Sequence, residues 1–369
     1  MTARERLLTA MQCRQPDRVP IHVWGVQAWQ DGWMESKDES FRPVYEAVKE
    51  KADWVASWSC PTGRFLSVAE VRAGSRQFDA GDWVIHEATL ETPAGPLVSS
   101  TRVSKGPYSP LRAKHWIAND EDLRRFLSLP YAPATPPVDS YFQLREKLGD
   151  RGVIKVGLTD PIAGVHDLLG SELLAVWSLE RRPAVRQLID LFAERLLTLV
   201  RHLVGSGVDA VYAWTGAEYC GPPLMSPRDF GEFVTDPCRQ LFGVIRAAGH
   251  LVHVHCHGPL QEILEDFVDM GVNCLHPIEA PPLGDMPLAE AKRRIGARVC
   301  LEGNLQIGDL FTCSTRQIRE LTKQAIDGAA AGGGFILCPT ASPYYPVLAP
   351  RAVANYLTMI ETGLEFGRY

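Results

Sequence analysis

Three histidines at every second position mark one short stretch of the sequence as a candidate for metal or proton chemistry. His253, His255 and His257 lie within residues 251–259, a run rich in β-formers that closes on Gly-Pro. Side chains two residues apart in a strand point to the same face, so the three imidazoles are expected to project together. We predict that His255 and His257 bind a metal ion, and that His253, one pleat deeper, orients a ligand by a hydrogen bond.

Cys338 is the third candidate ligand. It ends the apolar run 335–338, far along the chain from the histidines. Imidazole and thiolate are ligands that zinc prefers, and three protein ligands with one open position is the pattern of catalytic zinc. The alternative for Cys338 is simple packing, the usual role of a buried cysteine in an apolar strand.

Alternating strand-like and helical segments must bring these side chains together. The strand-like runs are residues 20–24, 54–57, 153–156, 209–214, 251–255, 273–276, 298–302 and 335–338. Eight such runs separated by helical segments predict an α/β fold, a (β/α)8 TIM barrel forming one domain over 1–369. An antiparallel β-hairpin insertion is expected at about 76–104, because alternating residues there flank Gly-containing turns. A doubly wound open sheet is the alternative, but no Gly-x-Gly-x-x-Gly follows the first strand.

The barrel would gather further candidates at one mouth, because active sites in this fold lie at the carboxyl ends of the strands. Glu218 and Glu302 follow or end predicted strands, and each is a candidate general acid or base, or a further metal ligand. For both, a solvated loop carboxylate is the alternative. The predicted substrate-binding residues are Trp24, Asp160, Tyr219, His276, Asn304 and Tyr344.

Composition narrows the classes of partner. The net charge is −6 and no basic stripe is present, which argues against nucleic acid and anionic membrane and favours a small-molecule substrate. No signal peptide is recognisable, and no apolar run was expected to reach the roughly 20 residues of a membrane span. Nine cysteines without framework spacing favour a reducing compartment, so we expect a cytoplasmic protein. A homo-oligomer is compatible with the sequence.

Several short segments carry a family resemblance that extends over nearly the whole chain. They are Arg18-Val19-Pro20, Gly207-Val208-Asp209-Ala210, Leu224-Met225-Ser226-Pro227, His255-Cys256-His257-Gly258, Glu302-Gly303-Asn304, residues 332–337 and the turn Thr92-Pro93-Ala94-Gly95. With them the chain resembles the uroporphyrinogen decarboxylase superfamily, in particular its branch of zinc-dependent, corrinoid-linked methyltransferases.

The resemblance implies a zinc site and a corrinoid partner. In that branch a His-x-Cys-Gly segment and a late cysteine bind zinc, and a methyl group moves to or from a cobalamin protein. The first ligand would be His255, and His257 stands where the family has cysteine. The late cysteine of the family falls near Ala341, whereas this chain offers Cys338.

Three functions remain open at this stage. The first is zinc-dependent methyl transfer between a small methoxylated or methylated substrate and a corrinoid protein. The second is decarboxylation or metal-assisted hydrolysis of a small carboxylated substrate on the same barrel. Tetrapyrrole decarboxylation itself is disfavoured, because residues 24–33 do not resemble the arginine-rich segment of that branch. The third is a barrel that serves only as a binding protein.

Overall fold

The computed structural model describes residues 1–69, 71–106 and 108–369, and its strands fall largely on the apolar runs of the sequence. The eleven strands of this described part are β1 Trp54–Trp58, β2 Ala73–Ala80, β3 Trp83–Thr92, β4 Gly95–Ser104, β5 Leu111–Lys114, β6 Gly152–Thr159, β7 Val211–Thr215, β8 Leu251–His255, β9 Cys274–His276, β10 Cys300–Leu305 and β11 Phe335–Pro339.

Thirteen α-helices lie in the same described residues. They are α1 Ala3–Met11, α2 Arg42–Lys51, α3 Asp120–Leu127, α4 Asp139–Leu148, α5 Pro161–Glu180, α6 Arg182–Gly205, α7 Pro227–Phe230, α8 Asp236–Ala247, α9 Leu264–Met270, α10 Leu288–Ile295, α11 Ile307–Thr312, α12 Thr315–Ala329 and α13 Pro350–Phe366. Helix starts carry the expected caps: Thr2 forms a capping box with Glu5, and Asn119 rather than Asp120 caps α3.

Two compact units divide the chain. The first contains residues 1–60, 137–159 and 203–369, and the second contains 61–136 and 160–202. The first unit holds a seven-stranded parallel sheet in the order β1-β6-β7-β8-β9-β10-β11. Strand order follows chain order, as in successive βα repeats of a TIM-like fold. The single domain over 1–369 stays a prediction.

The predicted strand 20–24 is not a strand in the described structure, so an eight-stranded barrel is not confirmed. Ile21 makes only an isolated parallel bridge to Leu337. Pro20 has no N–H to donate, which limits regular pairing. The segment nevertheless hydrogen bonds to both edges of the sheet: Leu337 N donates to Pro20 O and Asp53 N donates to Ile21 O, at 2.9 and 2.8 Å.

Helix α1 covers the amino ends of the strands. Its buried residues Leu7, Ala10 and Met11 form one apolar cluster with the first or second residues of five strands: Val153, Val211, Cys274, Cys300 and Ile336. Burial of these side chains drives the helix onto that end of the sheet. The carboxyl ends of the strands are therefore left to carry the polar side chains described below.

The second unit contains a four-stranded antiparallel sheet in the order β2-β3-β4-β5. The predicted hairpin at 76–104 corresponds to β3 and β4, joined at Pro93 and Ala94. The sheet is larger than expected, because β2 begins earlier, at Ala73, and β5 adds a strand after the hairpin.

Helix α5 corrects one expectation from the sequence. In the described chain this 20-residue helix is long and apolar enough to cross a membrane by length and composition alone. Polar residues such as Asp167 interrupt the apolar residues of this helix, so the sequence shows no continuous apolar run of that length. A core helix of a globular protein meets the same criteria, and almost half of the apolar window of α5 is buried within the protein.

Candidate active site

Strand β8 carries His253 and His255, and His257 follows two residues after the strand ends. Leu251, Val252 and Val254 favour an extended strand, in which Val252 and Val254 point to the face opposite the two histidines. The His253 side chain is 1% exposed, whereas that of His257 is 38% exposed. The three imidazoles thus range from buried through intermediate to accessible along this stretch.

His255 is held in a single tautomer by a chain of hydrogen bonds. His276 Nε2 lies 3.0 Å from Pro339 O, a carbonyl that can only accept, so His276 carries its proton on Nε2. Burial lowers the pKa of His276 well below its ordinary value, so its Nδ1 is unprotonated and accepts from His255 Nδ1 at 2.8 Å. Burial, aided by repulsion from nearby histidines, lowers the pKa of His255 to about 3. Neutral His255 therefore keeps a bare lone pair on Nε2.

The Nδ1 atom of His257 also has a hydrogen-bond acceptor, which is the carboxylate of Glu279. Its Nδ1 lies 3.1 Å from Glu279 Oε2, which also accepts from Gly258 N at 3.0 Å. The hydrogen bond to Glu279 raises the pKa of His257. Carboxylate–imidazole pairs of this kind orient metal-binding histidines and increase their basicity. The rings of His255 and His257 lie 4.5 Å apart between centroids, edge to face.

Deeper in the first unit, the carboxylate of Glu302 accepts hydrogen bonds from three side chains. The carboxylate lies 2.5 Å from His22 Nδ1, 3.0 Å from Lys155 Nζ and 2.7 Å from His253 Nε2. Its side chain is fully buried, and Lys155 is only 5% exposed. Buried charges persist when they are paired and hydrogen bonded, and Glu302 and Lys155 meet that condition together.

The charges of this cluster set its protonation. Burial alone would raise the pKa of Glu302, but Lys155 and the hydrogen bonds from His22 and His253 outweigh burial and hold that pKa well below its ordinary value. Burial and the nearby Lys155 lower the pKa of His253 to about 4. The cluster is therefore a carboxylate–ammonium pair flanked by neutral imidazoles. His253 Nδ1 is buried and has no hydrogen-bond partner among the described residues.

Cys338 lies beside this cluster. Its buried thiol is 3.6 Å from His22 Nδ1, and burial together with Glu302 raises the thiol pKa well above its ordinary value. Two sets of potential ligand atoms within 4.8 Å of one another occur in the described residues, His22–Glu302–Cys338 and His253–Cys274–Glu302. Neither includes His255 or His257. Both share Glu302, and a metal ion there would face Lys155, so these sets are poor cation sites.

Trp24 covers the histidines. Its ring stacks on His276 at 4.4 Å and on His255 at 5.2 Å, and Lys155 Nζ lies 4.8 Å from its centroid. An indole over these groups excludes water from them, and its π face attracts the amino group of Lys155.

Glu218 lies in a short 3-10 turn, residues 217–220, that directly follows β7. Burial raises its pKa, against a smaller opposing effect from His257. A carboxyl group with a raised pKa is suited to proton transfer near neutral pH. Tyr219 follows it in the same turn and is partly buried.

The other predicted substrate residues fall in different surroundings. Asn304 is partly buried in β10, opposite Cys338 of β11. Tyr344 is 56% exposed and packs on Phe311 and Tyr345. Asp160 belongs to the second unit, where its carboxylate caps α5 by accepting from Ile162 N.

Sequence reasoning missed His22, Lys155 and Glu279. One signal was present for Lys155, a lysine between valine and isoleucine residues in a strand that is otherwise apolar. His22 stands two residues before Trp24, on the same face of an extended segment. Nothing in the local sequence pointed to Glu279, because its hydrogen bond to His257 depends on a loop after β9.

Comparisons with known proteins agree with this architecture. A family model, uroporphyrinogen decarboxylase (URO-D), matches residues 110–359. A solved structure of a methyltransferase from Methanosarcina mazei is similar with a TM-score of 0.63 and 20% identity, covering 99% of each chain. A B12-independent methionine synthase from Shewanella sp. W3-18-1 matches with a TM-score of 0.44 and 12% identity, over 73% of this chain and 70% of that chain. No curated protein matches this chain.

Proposed function

This chain belongs to the uroporphyrinogen decarboxylase family, and from that premise we propose that it is a zinc-dependent methyltransferase. Its substrate would be a small methoxylated or methylated molecule, and a separate corrinoid protein would supply or receive the methyl group. The similarity in fold to a methyltransferase over 99% of the chain supports this branch of the family.

The observation that carries the proposal is the state of two imidazoles. His255 and His257 each have Nδ1 engaged by a partner, His276 and Glu279, so each can offer Nε2 to a cation. A metal-binding histidine ordinarily donates its other N–H in this way. The donor set therefore fits zinc, with His255 and His257 as ligands.

Zinc, when bound, acts as a Lewis acid that lowers the pKa of a coordinated thiol or hydroxyl group. The protein's own groups do the rest. Trp24 excludes water from the imidazoles, and Glu218 gives or takes the proton of the substrate heteroatom whose bond to methyl breaks or forms. Glu302 stays ionised and, with Lys155, fixes the inner histidines.

The third ligand has two candidates. Cys338 is the cysteine that this chain offers near Ala341, where the resemblance places the late cysteine of the family, and Glu218 lies close enough to His257 to affect its pKa. Burial and the nearby Glu302 raise the pKa of the Cys338 thiol, which keeps the thiol protonated. The Glu218 carboxyl is half-buried, and burial raises its pKa as well. Comparing zinc content of Cys338→Ala and Glu218→Gln identifies which of the two completes the site.

Metal analysis of the tag-free protein tests the proposal. After zinc reconstitution and dialysis we expect about one zinc per chain in the wild type, and loss of most of it in His255→Ala and His257→Ala. His250→Ala is the matched control, because His250 precedes β8 and its ring lies 5.7 Å from that of Tyr212, with Nδ1 3.7 Å from Asp209 Oδ1. Absence of zinc from the wild type, or equal zinc in all three variants, would contradict the proposal.

Decarboxylation of a small carboxylated substrate is the second candidate, and the raised pKa of Glu218 favours it. Loss of CO2 leaves a carbanion that must gain a proton, and a half-buried carboxyl group with a raised pKa is suited to giving that proton. Two assays separate the functions. Methyl transfer to cob(I)alamin generated in the assay supports the first, and CO2 release that is lost in Glu218→Gln supports the second.

A further inference from the structure

The second unit contains a cavity of about 530 Å³ that the proposed methyl transfer does not use. Its walls are the four-stranded sheet, the turn at Arg64 and Phe65, and Trp116. Small-molecule sites in proteins have volumes of roughly 300–1,000 Å³, so this cavity is large enough for a compact organic ligand.

One wall of the cavity is a polar face of the sheet. Residues directly opposite each other in antiparallel strands share a face. The strand register therefore aligns two rows across β2, β3 and β4, which are Gln77–His86–Thr101 and Ser75–Ala88–Ser99. Hydroxyl, amide and imidazole groups along this wall can hydrogen bond to a polar ligand, and the small side chain of Ala88 leaves room for it.

The charges around the cavity do not balance. Arg76 pairs with Glu87 at 2.6 Å, and Arg112 pairs with Asp167 at 2.9 Å. Arg64 also lines the cavity, and among the described residues it has no ion pair. The lining therefore carries one surplus guanidinium, in a chain whose net charge is −6.

Arg64 is held in place by aromatic contacts. Its guanidinium lies over the Trp116 ring at 5.6 Å, and Phe65 meets the same ring edge to face at 5.9 Å. Phe65 adopts a left-handed backbone conformation, with φ of 51°, and Arg195 Nη1 donates to its carbonyl at 2.9 Å. A bulky residue rarely adopts that conformation, and here it directs Arg64 and Phe65 to the same cavity.

We propose that this cavity binds a small organic anion with a planar body. Its carboxylate or phosphate group pairs with Arg64, whose fork of N–H donors matches either group. Its planar part contacts Phe65, and its polar substituents face the hydroxyl groups of Ser99 and Thr101. The proposal does not depend on the function of the histidines, which belong to the first unit.

Calorimetric titration of the full chain with benzoate and with inorganic phosphate tests this site. Benzoate carries a carboxylate on a planar ring, and phosphate offers the anion alone. We expect saturable binding of at least one probe, weakened about tenfold or more in Arg64→Met through loss of a charge-assisted hydrogen bond. Tighter binding of benzoate identifies a planar carboxylate as the ligand class, and tighter binding of phosphate identifies a phosphate ester.

Arg102→Met is the matched control. Arg102 also lies over a tryptophan ring, that of Trp83 at 5.2 Å, but it does not line the cavity. Binding within twofold of the wild type in this variant supports a site at Arg64 rather than a general charge effect. Ala88→Phe provides a second measurement that does not depend on charge, because the added ring projects from the polar wall into the space that the ligand would occupy and should abolish binding.

Thermal unfolding of each variant checks that it folds, and Ala88→Phe keeps the proposal testable if Arg64→Met does not. The proposal is overturned if neither probe binds saturably, if Arg102→Met weakens binding as much as Arg64→Met, or if Ala88→Phe binds as the wild type does.

Discussion

His276 determines which nitrogen of His255 is free, although by itself it offers no open nitrogen. Its Nδ1 accepts from His255 and its Nε2 donates to Pro339 O. The proton positions on both rings therefore follow from one backbone carbonyl. The Pro339 carbonyl can only accept, so it fixes the proton of His276 on Nε2, and His276 in turn fixes the proton of His255 on Nδ1.

Replacing His276 by Leu should weaken zinc binding while leaving the ligands in place. Leucine has no hydrogen-bond acceptor, so neutral His255 can carry its proton on Nε2, and we expect zinc affinity to fall about ten- to hundredfold. Competition with a chelating dye measures the affinity, and His250→Leu serves as the control. Unchanged affinity in His276→Leu would show that the hydrogen-bond chain does not prepare His255.

Lys155 should matter for stability in a pH-dependent way. Removing it in Lys155→Met leaves Glu302 buried without its cation, and we expect a loss of about 3–5 kcal/mol in the free energy of unfolding at pH 7. In the wild type the folded pKa of Glu302 is depressed, so its contribution is present above the unfolded pKa and is lost only as pH falls through the lower folded pKa.

Lys155→Met removes the cation that most lowers the pKa of Glu302, so we expect that pKa to be higher in the folded variant than in the folded wild type. The difference in unfolding free energy between the wild type and Lys155→Met should then become smaller as the pH falls from 7 toward 5. Urea unfolding at several pH values measures this, and Lys147→Met, which removes an exposed partner of Asp31, is the control. A deficit that does not vary with pH would contradict this account.

Among the elements, the segment 18–22 is held by backbone hydrogen bonds to both edges of the sheet and by one carboxylate. Asp53 accepts from Arg6 Nη1 at 2.6 Å, from Arg18 Nη1 at 2.8 Å and from Ile21 N at 2.9 Å. It stands just before β1 and is 2% exposed. This side chain supplies part of the pairing that a regular eighth strand would have made with its backbone.

Asp53→Ala should therefore loosen the segment that carries His22 and Trp24. We expect a loss of about 3 kcal/mol in unfolding free energy, because buried donors lose their acceptor. The amide of His22, which donates to Leu337 O, should exchange faster with solvent. Asp31→Ala, with a side chain 91% exposed, should change stability by less than about 0.5 kcal/mol. Equal effects in both variants would refute the role of Asp53.

At the scale of the molecule, zinc that binds only the folded chain must stabilise it. At a zinc concentration one hundred times the Kd, the expected gain is about 2.7 kcal/mol. Thermal unfolding with and without zinc measures this gain in the wild type. The double variant His255→Ala/His257→Ala should show no increase, and an increase of the same size in both proteins would place the stabilising ion elsewhere.

The sequence predicted most of the parallel sheet and much less of its polar interior. Alternation and apolar runs identify strands such as β8 and β11, because burial imposes those patterns locally. The Lys155–Glu302 pair joins residues 147 positions apart, and the Asp53 acceptor serves donors 32 to 47 positions away. Such pairings depend on tertiary packing, so no spacing rule reveals them. The sequence predicted only two strands of the four-stranded sheet. Strand β2 is exposed along its whole length, so it lacks the apolar pattern by which a strand is recognised.

The position of Trp24 gives the molecule an optical reporter. Its indole stacks on His276 and His255, so its emission should respond to any paramagnetic ion placed beside those rings. The chain contains nine tryptophans, and the difference in emission between the wild type and Trp24→Phe isolates this one. Cobalt(II) used in place of zinc should quench that difference signal, so that arrival of the ion can be followed in real time, even before a substrate is known.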